Sequence, residues 1–324
     1  MRHRTIGAPP RVLTFGEALV GYETSDGSLR TAERFTRFPG GADLNVAVGL
    51  GRLGVAATWA SVLARDAHGD YLNDAVTALG VDAVTVRADG STALMFKASG
   101  APGDPEVLQV RGGTAFARHA ELLMPHLLSL DGIDHVHLTG IVLAISPGTR
   151  AVAYALLEAA VAAGVTVSFD PNLRLNLWPD PAEMRRVVNA VAARCTIVLP
   201  GRGEAQLLTG VDDPRAIADF YLAAGAHEVA VKLGAAGAVA YTAELSARSR
   251  PFTVSPVDTV GAGDGFAAGY IAAKLSGGGL QERLDQAAAV GAFVTTRAGD
   301  LAAMPNRQEL DVFLAADRMP QKPR

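Results

Sequence analysis

The chain is poor in cysteine and carries no excess of basic side chains. The first shortage argues against a disulfide-stabilised fold, and the second against a nucleic-acid-binding protein. Cys195 is the only cysteine among 324 residues, so no disulfide can form within the chain. It lies in the apolar run Cys195–Leu199, which favours a buried strand position over a reactive thiol. At a formal net charge of -4 and a pI near 6.0, the chain lacks the general field that attracts nucleic acid.

Apolar runs of membrane length are also missing. The richest stretch, residues 151–167, is interrupted by Glu158 and Gly164. Hydrophobic residues nevertheless make up 49% of the chain and charged residues 19%, which is typical of a globular enzyme with a large core. We therefore expect a cytoplasmic protein that acts on small molecules and binds neither nucleic acid nor membrane.

From about Arg11 onward, short β-branched runs alternate with longer alanine-rich segments. This alternation predicts an α/β fold with a mainly parallel sheet covered by helices on both faces. The predicted strands are Val12–Phe15, Ala57–Val62, His135–Leu138, Val165–Phe169, Thr196–Leu199 and Glu228–Lys232. The predicted helices are Leu44–Leu53 with Asp43 as its cap, a segment from Pro147 to just before Gly164, Ala262–Leu275 and Glu282–Thr296.

Two stretches, Ala18–Pro39 and Thr92–Arg111, break this rhythm. The second contains the Gly100–Pro105 turn, and the polar and apolar residues on both sides of that turn alternate as in a half-exposed sheet. We predict two hairpins that form a small β-sheet inserted into the α/β body, where it would act as a lid. The predicted division is a core of residues 11–17, 40–91 and 112–316, a lid of residues 18–39 and 92–111, and flexible tails at 1–10 and 317–324.

The stretch Asp258–Tyr270 reads DTVGAGDGFAAGY and carries the strongest functional signal. Gly261 and Gly263 permit backbone angles that expose successive N–H groups, and a helix beginning near Ala262 adds its positive end, so an anion is favoured there. A carboxylate at Asp264 would repel a resting phosphate, which favours a role as the base for an attacking hydroxyl. The alternative is a glycine-capped helix start with an acidic residue in its first turn.

This stretch resembles the DTTGAGDxFxxG signature of the PfkB, or ribokinase-like, carbohydrate kinases, with Val260 in place of the second Thr. The resemblance implies that Asp264 is the catalytic base and that the amides of Gly261, Ala262 and Gly263 form an anion hole for the transferred phosphate. It also implies a ribokinase-like fold whose lid closes over the sugar and often mediates dimerisation. We therefore expect a homodimer or a higher homo-oligomer formed through the lid.

The segment Gly40–Ala47 resembles the first signature of the same family. In that signature the double glycine lets the backbone approach the sugar, which implies that Gly41 and Asn45 contact the substrate. Local chemistry alone favours a simple turn with Asp43 as the helix cap. The presence of both signatures, in the expected order, favours the substrate role.

The segment Phe169–Trp178 closely resembles the FDPNLRxxLW segment of the 2-keto-3-deoxygluconate kinases, a PfkB subgroup, and Gly16–Ala18 and Lys232–Gly237 also match. The resemblance implies that Arg174 reaches the sugar acid or the nucleotide phosphates; an exposed arginine in a surface turn is the alternative. The implied substrate-binding residues are Gly41, Asn45, Phe96, Gln109, Arg111, Arg174 and Asp300, although Asp300 is equally compatible with an exposed turn. The implied ATP-binding residues are Asn172, Arg174, Lys232, Gly234 and Gly237.

The chain departs from the family pattern at several positions. Where the subgroup has Tyr-Tyr-Arg-Lys-Gly-Ser-Ala, residues 109–115 read QVRGGTA, which removes two aromatic rings and a cation. The family's Asn-x-x-Glu becomes Gly201 to Glu204, and Ala288 replaces an asparagine near the adenine. We expect altered metal or nucleotide affinity, with Mg²⁺ held mainly by phosphates and water and Glu204 as a candidate ligand through water.

Two further patterns are interpreted as structural. The segment Gly49–Gly54 spells GxGxxG, but it ends a predicted helix instead of joining a strand to one, so a dinucleotide-binding oxidoreductase lacks its context. His135 and His137 share one face of a predicted strand, and with no third ligand in view we interpret them as structural histidines and not as a metal pair.

Together these features predict an ATP- and Mg²⁺-dependent kinase that phosphorylates a primary hydroxyl of a sugar or sugar acid, with 2-keto-3-deoxygluconate as the favoured acceptor. A kinase for a neutral sugar such as fructose or ribose, or for a nucleoside, is the alternative that the missing tyrosines favour. A sugar-binding pseudokinase is the alternative that Gly201 and Ala288 favour.

Overall fold

A computed structural model describes residues 9–24, 27–98 and 106–318 of the chain. Most of the two predicted tails and the Gly100–Pro105 turn lie outside these ranges. The strands are Arg11–Phe15 (β1), Leu19–Thr24 (β2), Phe35–Gly40 (β3), Ala56–Ala64 (β4), Asp82–Ala88 (β5), Ala93–Lys97 (β6), Val107–Val110 (β7), His135–Thr139 (β8), Thr166–Asp170 (β9), Ile197–Val198 (β10), Glu228–Lys232 (β11), Ala238–Tyr241 (β12) and Ser246–Arg248 (β13). The α-helices are Ala42–Arg52 (α1), Ala67–Ala78 (α2), Ala115–His119 (α3), Met124–Leu127 (α4), Ile141–Ile145 (α5), Pro147–Ala162 (α6), Pro181–Ala192 (α7), Arg202–Thr209 (α8), Pro214–Ala224 (α9), Ala262–Leu275 (α10), Leu280–Val294 (α11) and Arg307–Arg318 (α12).

The large sheet has the strand order β13-β12-β11-β10-β9-β8-β1-β4-β5. Its pairs are parallel from β11 across to β5, while β12 and β13 extend one edge in antiparallel fashion. The six predicted strands are confirmed as β1, β4, β8, β9, β10 and β11. The antiparallel edge was not predicted, because β12 and β13 are short and are not separated by helices.

Helices cover both faces of the large sheet, as predicted, because its strands alternate apolar side chains between two separate cores. Leu13 and Phe15 of β1 belong to one core, which is completed by helices such as α6, α7 and α9. Val12 belongs to the other core, which α1, α10 and α11 complete. Each fully buried side chain of this kind stabilises the fold by about 1.5–3 kcal/mol, so this two-sided burial fixes the strand registers.

The two helices nearest the functional signatures begin at glycines. Helix α10 spans the predicted residues and follows Gly261, whose φ of 83° is left-handed. Helix α1 begins after Gly41, and no side chain of the described residues caps it with a hydrogen bond. The prediction that Asp43 is the cap is wrong, because Asp43 is buried and its Oδ2 accepts a hydrogen bond of 2.9 Å from Thr139 Oγ1. The first turn of α1 is therefore tied to the end of β8.

The small sheet has the order β3-β2-β6-β7. The antiparallel pairs β2–β3 and β6–β7 confirm the two predicted hairpins, and parallel pairing of β2 with β6 joins them. This joining places side chains from two distant segments on one surface that faces the body of the protein. Within the described ranges, none of the helices combines the length and the apolar character that crossing a bilayer requires.

Candidate active site

A cavity of about 610 Å³ lies between the small sheet and the carboxyl ends of the parallel strands. This edge of a parallel sheet is where open α/β folds bind ligands. Leu19 and Met95 of the small sheet close one side, and Asp170 at the end of β9 lies on the other. The predicted site residues that line the cavity are Gly41, Asn45, Gln109, Arg111, Asn172, Arg174, Glu204, Lys232, Gly261, Gly263, Asp264 and Asp300.

A second cavity of about 460 Å³ adjoins the first and is lined mainly by apolar atoms. The two cavities share Lys232, Thr259 and Gly263, so they form one cleft with a polar end and an apolar end. The predicted residues that line the apolar end are Gly234, Gly237, Ala262 and Ala288. This division suits a ligand that carries a flat apolar ring at one end and charged groups at the other.

Asp264 lies at the polar end with only 7% of its surface exposed. Its Oδ2 accepts a hydrogen bond of 2.7 Å from Asn45 Nδ2, and its Oδ1 accepts one of 3.2 Å from Asn172 Nδ2. Burial raises the pKa of this carboxyl to about 7, although the hydrogen bond from Asn45 acts in the opposite direction and lowers the pKa. A carboxylate with a pKa near neutrality is suited to accept a proton from an alcohol during a reaction.

The start of α10 supplies unpaired main-chain donors beside this carboxylate. The N–H groups of Gly263 and Asp264 have no hydrogen-bond acceptor within the part of the chain that the structure describes. The N–H of Ala262 donates to Thr259 O at 3.3 Å, so it is less free than its neighbours. Together with the positive end of the helix, these donors favour an anion next to Asp264.

Lys232 lies where the two cavities meet. Its Nζ donates to Asp170 Oδ2 at 2.6 Å, and a methyl group added to Gly263 would lie 3.5 Å from Nζ. Burial lowers the pKa of Lys232, but the charges of Asp170 and Glu204 outweigh this effect and the net pKa is raised, so the ammonium keeps its charge. Asp170 was not among the predicted site residues, although its position at the end of a predicted strand was a usable signal.

Arg111 lines the cavity and has a buried guanidinium. Its side chain is 7% exposed, and its Nη1 lies 3.4 Å from Glu17 Oε2. Glu17 is held in turn by Thr114, whose Oγ1 donates to Glu17 Oε1 at 2.5 Å. Among the described residues, Arg111 Nε has no hydrogen-bond partner, and Nη1 has the ion pair with Glu17 but no hydrogen bond. Buried donors of this kind are rare in proteins, and they indicate a place for an anionic ligand.

Arg174 and Asn172 come from the loop after β9. Asn172 has a φ of 39°, and its N–H donates to Asp170 Oδ1 at 3.1 Å. Arg174 Nη1 donates to the neighbouring Leu173 O at 3.1 Å, and within the described ranges the rest of its planar fork makes no further hydrogen bond and is left for a ligand. The loop thus directs an amide toward Asp264 and a guanidinium into the cavity.

Glu204 stabilises this loop. Its Oε1 accepts from the N–H of Leu173 at 2.7 Å, and its Oε2 accepts from the N–H of Gly201 at 2.9 Å. Gly201 is the position where the family has asparagine, and its N–H completes the capping interaction at the start of α8. Both oxygens of Glu204 therefore already serve the main chain, and a metal contact through water stays a prediction.

Asp300 is buried and lines the cavity, although its sequence context was equally compatible with an exposed turn. Its Oδ1 has no hydrogen-bond partner among the described residues. Burial raises the pKa of Asp300 to about 6, against the nearby charge of Lys97, which lowers the pKa. An unpaired buried carboxylate oxygen is suited to accept a hydrogen bond from a ligand hydroxyl.

Phe96 is not brought to the cavity, which corrects the expectation that it lies beside the sugar. Successive residues of a strand point to opposite faces, and Met95 is the residue of β6 that lines the cavity. The Phe96 ring stacks on Tyr22 at a centroid distance of 5.5 Å and meets the edge of Phe35 at 5.9 Å. It therefore belongs to the outer face of the small sheet.

The remaining motifs have structural surroundings. Ser168 Oγ lies 2.7 Å from His135 Nε2 and 2.8 Å from His137 Nδ1, and burial lowers the pKa of both histidines to about 3. Among the described residues, no group of three or more His, Cys, Asp or Glu side chains is arranged to hold a metal ion. A methyl group added to Gly49 would lie 2.8 Å from Ala268 Cβ, so the GxGxxG segment serves the packing of α1 on α10.

Comparison with known proteins places sugar kinases among the relatives of this chain. The 2-dehydro-3-deoxygluconokinase of Bacillus subtilis (strain 168) is 36% identical over 94% of this chain and 96% of its own length. The probable fructokinase-4 of Arabidopsis thaliana is 32% identical over 95% of this chain and 98% of its own length. The chain is thus similar both to a sugar-acid kinase and to a neutral-sugar kinase.

Solved structures show the same fold. A PfkB protein from Polaromonas sp. JS666 is 40% identical and superposes with a TM-score of 0.83 over 94% of this chain and 99% of that one. A putative ribokinase II from E. coli, solved in complex with ATP and Mg²⁺, is 28% identical and superposes with a TM-score of 0.85 over 95% and 99% of the two chains. Residues 10–307 match the pfkB family of carbohydrate kinases, and the chain belongs to that family.

Proposed function

We propose that this protein transfers the γ-phosphoryl group of ATP to a primary hydroxyl of a sugar acid, with 2-keto-3-deoxygluconate as the favoured acceptor. The observation that carries the proposal is the buried guanidinium of Arg111, which lines the cavity and whose Nε has no hydrogen-bond partner among the described residues, while Nη1 has only the ion pair with Glu17 there. A carboxylate of the acceptor would accept charge-assisted hydrogen bonds from this guanidinium, which are the strong class of such bonds.

In the proposed reaction, Asp264 removes the proton from the acceptor hydroxyl. Its pKa of about 7 makes it basic enough to do so while it is still largely ionised at a slightly alkaline pH. The amides at the start of α10 lie beside it and stabilise the negative charge that develops on the transferred group. Asn45 and Asn172 hold the carboxylate in place through its two oxygens, which reduces the reorganisation needed in the transition state.

The cleft fits a nucleoside triphosphate bound at its apolar end. Gly263 leaves open the space that a side chain would fill next to Lys232, and the free N–H groups of Gly263 and Asp264 point to a phosphate there. Bound ATP with Mg²⁺ supplies the phosphoryl group and neutralises its charge. The described residues form no cluster of three metal ligands, which fits an ion held mainly by phosphates and water, with Glu204 acting through water.

The acceptor would lie between the small sheet and the body, with the sheet acting as a lid. Gly41 lines the cavity, and an added methyl group would lie 2.5 Å from Glu17 O, so the close packing of the start of α1 on the Glu17 backbone depends on glycine. Arg111 and Arg174 would bind the carboxylate end, while Asn45 and Asp300 would bind hydroxyls near Asp264. This orientation directs the far primary hydroxyl toward the base.

A neutral-sugar kinase is the second candidate, since the chain is also similar to fructokinases. This candidate is favoured by the loss of the two tyrosines next to Arg111. In that case the guanidinium would bind a hydroxyl or carbonyl oxygen, which is a weaker partner than a carboxylate. A sugar-binding pseudokinase would use the same acceptor site without transfer.

The outer face of the lid is proposed as a homodimer interface. Leu108 and Val110 of β7 are 55% and 48% exposed, and Phe35 of β3 is 38% exposed. Large apolar side chains grouped on one sheet face favour burial against a second copy. Light scattering coupled to size-exclusion chromatography is expected to show a dimer, and a Leu108→Glu variant is expected to be a monomer.

The acceptor is tested with a coupled ADP-release assay that uses two matched sugars. 3-Deoxyfructose differs from 2-keto-3-deoxygluconate only in carrying a hydroxymethyl group in place of the carboxylate. We expect kcat/KM to be about 10- to 100-fold higher for the acid, because one charge-assisted contact contributes about 1.5–3 kcal/mol. Equal values, or a preference for fructose, would support the neutral-sugar kinase. Release of no ADP with any acceptor, including ribose and adenosine, would support the pseudokinase.

A further inference from the structure

Lys97 is a buried lysine that the catalytic scheme above does not use. It ends β6, and its side chain is 1% exposed. Its Nζ donates to Asp258 Oδ2 and lies 3.8 Å from Glu23 Oε1. The ring of Phe38 covers it from one side, at 5.4 Å from Nζ to the ring centroid. Lysines are almost never buried to this extent unless they are paired, so the position of Nζ is set by these carboxylates.

Asp258 connects this lysine to the glycine turn. Its Oδ2 accepts from Lys97, and its Oδ1 accepts from the N–H of Val260 at 3.0 Å. Val260 directly precedes Gly261, where the turn that exposes the anion-binding amides begins. One carboxylate therefore joins a strand of the small sheet to the loop that would bind the transferred phosphate.

The charges around Lys97 make its presence essential for this connection. The charges of Asp258 and Glu23 raise the pKa of Asp300 and that of Lys97 lowers it, so the ammonium offsets the other carboxylates at this point. Without the ammonium, three carboxyl groups would face one another with little solvent. Removing one partner of a buried ion pair leaves an uncompensated charge, which strongly destabilises that arrangement.

We propose that Lys97 is a positioning residue that couples the seating of the small sheet over the acceptor to the geometry of the anion-binding turn. The inference rests on the proposed kinase function and concerns how the site is assembled. When the sheet is seated, Lys97 holds Asp258, and Asp258 holds the N–H of Val260, so the turn has its binding geometry. When the sheet moves away, Asp258 loses its cationic partner and the turn loses this restraint.

The kinetic test uses Lys97→Met, which keeps the length of the side chain and removes its charge. We expect kcat per folded protein to fall about 10- to 100-fold, because displacement of a catalytic group by about 1 Å can have that effect. The KM values for ATP and for 2-keto-3-deoxygluconate are expected to rise by no more than the factor by which each ligand tightens the binding of the other in the wild type, since Lys97 lines neither cavity. Lys97→Arg is expected to recover most of the activity because it restores the charge.

Two further variants separate positioning from stability. Lys274→Met removes the ammonium that lies 3.0 Å from Glu228 Oε2, away from the cleft, and is expected to keep the kcat of the wild type. The double variant Asp258→Asn and Lys97→Met is expected to have a kcat no lower than that of the slower single variant, because both substitutions break the same contact between Lys97 and Asp258. If Lys97→Met does not fold, kcat is measured in Asp258→Asn alone.

The coupling itself is measured by titration calorimetry with ADP as the probe, in the presence and absence of 2-keto-3-deoxygluconate. We expect the acceptor to tighten ADP binding in the wild type, and we expect this effect to be lost in Lys97→Met. An unchanged kcat in folded Lys97→Met, or the same effect of acceptor on ADP affinity in both proteins, would overturn the inference. Absence of ADP release by the wild type with every acceptor would instead overturn the proposed function.

Discussion

Asn45 donates a hydrogen bond of 2.7 Å to Oδ2 of Asp264, although the two residues are 219 positions apart in the chain. The bond links the first turns of α1 and α10, which pack closely because Gly49 faces Ala268. One signature motif thereby orients the carboxylate of the other. The amide also stabilises the charged form of Asp264, which burial disfavours. It therefore lowers the pH at which the proposed base becomes ionised.

The first prediction concerns pH. Because burial raises the pKa of Asp264 to about 7 and only the ionised form can accept a proton, kcat/KM is expected to rise with pH through about 7 and then level off. Asn45→Leu removes the hydrogen bond that lowers this pKa, so the rising limb should move to higher pH. The measurement is a pH profile of kcat/KM between about pH 5 and 9. A limb that stays in place, or moves to lower pH, would contradict the assignment.

The second prediction concerns the carboxylate of the acceptor. Arg111→Ala removes the buried donors, so kcat/KM for 2-keto-3-deoxygluconate is expected to fall about 10- to 100-fold. The kcat/KM for 3-deoxyfructose should fall less than about 3-fold, because that sugar has no carboxylate that could pair with the guanidinium. Arg185→Ala, an exposed position on α7, serves as the control and should change neither value. Equal losses on both sugars would show that no carboxylate is bound at Arg111.

The third prediction concerns the junction of the two cavities. Gly263→Ala would place a methyl group 3.5 Å from Lys232 Nζ, which the fold tolerates but which occupies the space proposed for the phosphate. We expect kcat/KM for ATP to fall about 10-fold or more, since a contact made in the transition state is displaced. Gly203→Ala, where no atom lies within 4 Å of the added carbon, is the matched control and should be neutral or slightly stabilising. Normal ATP kinetics in Gly263→Ala would exclude a phosphate at this junction.

The parts of the fold that depend on local pattern were predictable from the sequence. The glycines before Asp264 and the apolar run after it placed α10 at Ala262–Leu275, where the structure has it. The alternating polar and apolar runs likewise predicted the central strands and the two hairpins. These features are encoded in neighbouring residues, so no knowledge of distant contacts was needed.

The features that depend on distant contacts were not predictable. The alternation in β6 shows that its side chains point to two faces, but which face meets the cavity is fixed by pairing with β2, and the prediction for Phe96 therefore failed. Asp43 has the chemistry of a helix cap, yet Thr139 from β8 engages its carboxylate. The burial of Lys97 also depends on Asp258, which lies 161 positions away in the chain.

The most direct test of the central claim is the turnover of Asp264→Asn. The substitution keeps the size of the side chain and removes its basicity, so kcat is expected to fall by about two to four orders of magnitude, with KM values within a few-fold of the wild type. A carboxyl with a raised pKa stabilises the fold at low pH and loses that contribution as the pH rises through about 7. The melting temperature of the variant should therefore not be below that of the wild type at pH 8. A folded variant with near-normal kcat would contradict the account.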